Sequence, residues 1–70
     1  MKKSKFTIQV QNKLNEKGLS YSNVAKKLNV SKNMIYNYVY EKNKSIKFIN
    51  YLIDELGFSY EEIRELKGKK

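Results

Sequence analysis

The stretch YSNVAKKLNVSKNMIYNYVY, residues 21–40, decides how this chain is read. Val24, Ala25 and Leu28 fall at helical spacing, and so do Ile35, Tyr38 and Val39. Ser20 and Ser31 stand directly ahead of the two runs, where a hydroxyl can accept an otherwise orphaned first-turn amide. Two short helices are therefore expected, over residues 21–28 and 32–40, joined by a tight turn at Asn29 and Val30. A crossing this close needs a small inner side chain, and Ala25 supplies it. Leu28, Val30 and Ile35 then fill the angle between the helices. Asn29 stands where glycine is usual, and asparagine tolerates the left-handed backbone better than most residues.

Three more helices flank this pair. Phe6, Val10 and Leu14 lie four apart and place the first over residues 5–16, although the alternation of residues 6–11 also fits a strand and leaves its start open. From about Ser45, Phe48, Ile49, Leu52, Ile53 and Leu56 form a wide apolar stripe, expected over 46–56. Ser59 with Glu62 three later matches a capping box and opens a last helix over 60–66, with Ile63 and Leu66 inward. Gly18 and Gly57 each follow an apolar-periodic run, where a helix ends on a left-handed residue. The expectation is one all-α domain over residues 1–70, with 1–4 and 67–70 as frayed basic ends.

Composition bounds the function. Lys and Arg number 15 against 7 Asp and Glu, for a net charge of +8. The excess is concentrated: residues 1–53 hold 11 basic and 2 acidic side chains, and residues 54–70 hold 4 and 5. The first three-quarters suit a polyanion, and the last quarter is electrically free for other contacts. A solvated lysine-rich surface is the plainer alternative. The chain has no cysteine and no histidine, so disulfides, thiolate metal sites and the commonest general base are excluded together. Asp54, Glu55, Glu61, Glu62 and Glu65 read as helix-dipole partners and surface ion pairs rather than a metal or acid–base cluster. No catalytic residue, metal, cofactor or small-molecule ligand is expected, and the protein is not expected to be an enzyme. No apolar run approaches the roughly 20 residues of a membrane span, and a cytoplasmic protein is expected.

The register of residues 10–63, with Gly18-Leu19-Ser20 before the second helix and Leu56-Gly57-Phe58-Ser59 after the fourth, resembles the Cro-type phage-repressor family, also called the XRE family. The resemblance implies a five-helix, lambda-repressor-like DNA-binding domain in which the second and third helices form a helix-turn-helix. Two positions depart from the family pattern: Leu14 and Val39 stand where many members pair Arg with Glu. An apolar contact is expected to replace that ion pair. The Glu-Arg-Gly frequent after the third helix is also missing, so the loop that follows is expected to take its own path.

In such motifs the third helix lies in the major groove with its N-terminal residues at base edges. At about 100° per residue, Lys32, Asn33, Tyr36, Asn37 and Tyr40 lie opposite Ile35 and Tyr38. The resemblance implies that Lys32, Asn33 and Asn37 read bases; Asn can pair with adenine N6 and N7, and Lys can reach guanine O6 or N7. Tyr36 and Tyr40 are placed at thymine methyls or phosphates. Ser20, Tyr21, Ser22 and Ser31 on one side, and Lys42, Asn43, Lys44 and Lys47 on the other, are candidate phosphate contacts, with Lys2, Lys3 and Lys5 as a loose arm. Phe58, Tyr60 and Ile63 are either a homodimer contact or part of the monomer's core, and both readings stay open. A two-fold dimer would require a pseudo-palindromic site.

The expected function is sequence-specific binding of double-stranded DNA as a transcriptional regulator, a repressor of a phage, plasmid or other mobile element. An architectural or recombination-accessory DNA-binding protein, an antitoxin, or a protein-interaction domain that kept the fold are the alternatives.

Overall fold

A computed structural model describes residues 3–67 of the chain. These residues form five helices and no strand: α1 (Lys5–Glu16), α2 (Tyr21–Leu28), α3 (Lys32–Val39), α4 (Ile46–Leu56) and α5 (Tyr60–Leu66). The expected all-helical class holds. The strand alternative for residues 6–11 does not, because Ser4 caps a helix there by accepting from the Thr7 amide at 3.1 Å. None of the helices is long and apolar enough to cross a membrane.

Each of the five helices starts on a serine. Ser4, Ser20, Ser31, Ser45 and Ser59 all sit in extended backbone and accept from an amide of the first turn. Ser20 with Asn23 and Ser59 with Glu62 form reciprocal capping boxes. The helix ends are as consistent. After α1, Gly18 is left-handed at φ 68° while Leu19 N–H bonds back to Leu14. After α2, Asn29 is left-handed at φ 60°, with Val30 N–H on the Ala25 carbonyl and Asn29 N–H on Lys26. Gly57 takes φ 82° after α4. Such ends satisfy carbonyls that the last turn leaves unpaired.

One core cluster closes around α1, which touches α3, α4 and α5. Phe6, Val10 and Leu14 are buried from α1, Val24, Ala25 and Leu28 from α2, and Ile35, Tyr38 and Val39 from α3. Leu14 and Val39 thus both lie in the apolar interior. The one buried polar side chain among the described residues, Thr7, ties α1 to the end of α3 by donating to the Val39 carbonyl at 2.8 Å. In α4 the buried face is Phe48, Tyr51, Leu52 and Leu56, while Ile49 and Ile53 are only partly covered. The sequence stripe named Ile49 and Ile53 but not Tyr51, which is buried beside a cleft it shares with Lys27 and Leu28 of α2.

Two boundary expectations are corrected, and one open alternative is narrowed. The third helix ends at Val39, and Tyr40 is its C-terminal capping residue. Ser4 and Lys67 do not fray. Ser4 Oγ donates to Glu41, and Lys67 pairs with the other carboxylate oxygen of Glu41 at 3.8 Å with its ammonium 4.6 Å from the Phe6 ring centroid. Residues 1–2 and 68–70, including Lys2 of the expected arm, lie outside the described residues. Phe58 and Ile63 are 6% and 2% exposed and belong to the monomer's core, leaving Tyr60, at 61%, as the accessible member of that trio.

Candidate nucleic-acid interface

The outer surface of α3 is built by what its inner surface buries. Ile35, Tyr38 and Val39 are drawn into the core, so the helix turns Lys32, Asn33 and Tyr36 to solvent and holds Asn37 half-buried beside them. α2 and α3 are in contact across residues 29–31, and Ala25 of α2 is buried. An alanine there lets two backbones approach where a larger side chain would hold them apart. The orientation of α3 is fixed further by Thr7, whose bond to Val39 anchors its last turn.

An aromatic array flanks the exposed face. The Tyr36 ring lies 4.5 Å from Tyr40 in a tilted stack and 6.4 Å from Tyr21 edge-on. The Lys42 ammonium lies 5.9 Å from the Tyr36 ring centroid, within the range of cation–π attraction. Behind the array, Gln11 of α1 donates through Nε2 to the Tyr21 hydroxyl at 2.9 Å and to the Tyr40 hydroxyl at 3.2 Å. Lys3 donates to Gln11 Oε1 at 3.0 Å. Tyr21, Lys32, Asn33 and Tyr36 together line an open recess. Burial raises the Tyr21 pKa above 10.0, against the Gln11 hydrogen bond that favours the phenolate, and the neighbouring Tyr40 and Tyr36 raise it further. The phenol therefore keeps its proton throughout the physiological range.

The remaining positions divide. Ser22, Lys42, Asn43 and Lys44 are exposed around the ends of α2 and α3. The Ser20 and Ser31 hydroxyls are occupied as caps, accepting from Asn23 and Met34 amides. Lys47 is turned elsewhere: its ammonium donates to the Leu28 carbonyl at 3.2 Å, beside a cleft that also holds Asp54 and Glu55. The carbonyl end of a helix carries partial negative charge and attracts a cation, which explains why Lys47 leaves the array. Gln11 and Glu41 were not singled out in the sequence. The signal for Gln11 was faint: with Thr7 one turn earlier, it forms a polar strip along the edge of the Phe6–Val10–Leu14 stripe.

Comparison with protein-family models, curated proteins and solved structures gave no match. The chemistry of the face is thus argued from its residues. It offers cationic, amide and aromatic groups on one short helix held rigidly from behind, with capped helix starts on either side. Such a surface can pair with base edges, stack on apolar groups and neutralise phosphates.

Proposed function

We propose that the chain is a sequence-specific double-stranded DNA-binding regulator of the Cro-type helix-turn-helix kind, in which α2 and α3 are the motif and α3 enters the major groove. One observation carries the reading: Lys32, Asn33, Tyr36 and Asn37 line the outer face of a helix whose opposite face is wholly buried. The resemblance in register, the left-handed Asn29 turn and the charge of residues 1–53 support it.

The major groove is about 12 Å wide and admits one helix. In this reading Lys32 and Asn33, in the first turn of α3, reach base edges first, and Asn37 follows one turn later. Tyr36 offers its ring to a thymine methyl. Tyr21, Ser22, Tyr40, Lys42, Asn43 and Lys44 hold the flanking backbone. Occupying a promoter in this way makes the protein a repressor. Tyr60 is the candidate contact for a two-fold dimer, which would set its two reading helices about 34 Å apart.

The test is a pair of affinities, for a duplex selected from a random pool and for random-sequence duplex. The Lys32→Ala, Asn37→Ala double variant is expected to lose most of the preference for the selected duplex, about 1–3 kcal/mol for each base pairing removed. Salt-sensitive binding to both duplexes should persist, since the phosphate contacts remain. An unchanged preference would remove these residues from base readout. Wild-type binding to random duplex as tight as to the selected one would favour an architectural protein.

A further inference from the structure

We propose that Gln11 is a positioning residue that turns the Tyr21 and Tyr40 hydroxyls into a paired donor for one phosphodiester group of the DNA backbone. The inference rests on the DNA-binding reading above and adds to it a residue from outside the motif. Its basis is the donor and acceptor balance of one amide. Lys3 has only protons to give, so its bond to Gln11 fixes Oε1 toward Lys3 and Nε2 toward the tyrosines. Nε2 carries two protons, and each is matched by one phenol oxygen, at 2.9 Å and 3.2 Å. Both hydroxyls thereby accept, and each has its single proton left to give.

Among the described residues neither hydroxyl donates to a protein acceptor. Two O–H groups whose oxygens bond to one nitrogen lie close together, near enough to serve a single acceptor. Their complement is an acceptor with several lone pairs and no protons. An anionic phosphate oxygen meets that description, and a base edge, which mixes donors with acceptors, meets it less well. Lys3 behind the amide and Lys42 beside the Tyr36 ring add positive charge around the same place.

The location gives the pair its use. Tyr21 is the first residue of α2 and Tyr40 caps the end of α3, so the clamp joins opposite ends of the two-helix unit. Tyr36 is wedged against both rings. A phosphate held there adds a sequence-independent contact beside the exposed side chains of α3. Gln11 reads no sequence and touches no DNA. It acts through the two hydroxyls alone.

The experiment is a cycle of variants: wild type, Gln11→Leu, the Tyr21→Phe, Tyr40→Phe double, and all three changes together. Each is measured for affinity to random-sequence and selected duplex over a range of salt, with thermal unfolding recorded alongside. Gln11→Leu and the double Phe variant are each expected to weaken binding to both duplexes about tenfold. The preference between duplexes and the slope of log affinity against log salt should not change, because neutral donors displace no counterions. In the double Phe background, Gln11→Leu should cost nothing further. Should Gln11→Leu unfold, Gln11→Glu replaces it. Its carboxylate draws the hydroxyl protons inward, and it is expected to weaken binding more than tenfold in wild type. Equal losses from the Gln11 change with and without the hydroxyls, or full affinity in the Gln11 variant, overturn the clamp while leaving DNA binding intact. A wild type that binds neither duplex overturns the DNA-binding reading and the clamp with it.

Discussion

Glu41 shows how a single residue can be unfavourable in its backbone and favourable in its side chain. It takes φ 60° after α3, with its amide on the Tyr38 carbonyl and Lys42 N–H on Asn37, the same ending that Gly18 and Asn29 make elsewhere. Glutamate has no special tolerance for the left-handed region, and the conformation costs roughly 1–2 kcal/mol. Its carboxylate offsets this by accepting from Ser4 and pairing with Lys67. Two substitutions separate the parts. Glu41→Ala should lose both the side-chain contacts and nothing of the strain, whereas Glu41→Gly loses the contacts and relieves the strain. The glycine variant is therefore expected to be about 1 kcal/mol more stable than the alanine variant in urea unfolding. Equal stabilities would mean that the left-handed turn carries no strain. Gly18, Asn29 and Gly57 were legible as helix-ending residues because their chemistry favours that backbone. Glu41 was not, since its conformation is imposed by partners 37 residues before it and 26 after it in sequence.

At the level of elements, local chemistry carried most of the information. The serine caps at Ser20, Ser31 and Ser59 and the apolar periods of α1, α2 and α3 could be read directly, because capping and helical spacing depend on neighbours within one turn or two. The face of α4 could be read only as a wide stripe. Which edge is buried depends on neighbours distant in sequence, and Tyr51, beside Lys27 and Leu28, rather than Ile49 and Ile53 goes inside. The α2–α3 crossing yields the sharpest expectation here. Ala25 is 5% exposed at that crossing, and Ala25→Leu must either distort rotamers or pry the helices apart. A loss of about 1–3 kcal/mol is expected in chemical denaturation. On the proposed DNA-binding reading, affinity for DNA should fall by more than the unfolded fraction explains, because α3 changes its tilt. A variant as stable as the parent would show that the crossing is not tightly packed.

The whole molecule adds what no local pattern contains. The exposed set on α3 could be anticipated by helical geometry, but the links from Lys3 through Gln11 to Tyr21 and Tyr40 join residues of α1 and α2, the residue that caps α3 and the segment ahead of α1. The bond of Lys47 to the end of α2 was illegible for the same reason, its partner lying 19 residues away in sequence. Alkaline titration probes the assembled state. Tyr21 is raised above 10.0 chiefly by burial, and Tyr51 by burial and then by the charge of Glu55. A folded-state pKa above the unfolded value means that the native protein holds protons more tightly. Stability from these groups is complete below pH 10.0 and declines as pH rises through the folded values. Urea midpoints should therefore be unaffected by these two groups near neutrality and drop in the alkaline range, together with the tyrosinate absorbance change. Replacing both with Phe should remove that part of the decline.

The carboxylate of Glu41 has one oxygen on Ser4, ahead of the first helix, and the other toward Lys67, past the last. The strand of chain arriving at this unit and the strand leaving it consequently pass the same spot. A body with adjoining inlet and outlet can be spliced into a surface loop of a host protein without wedging the host open, or re-cut by circular permutation with a short bridge from Lys67 to Ser4.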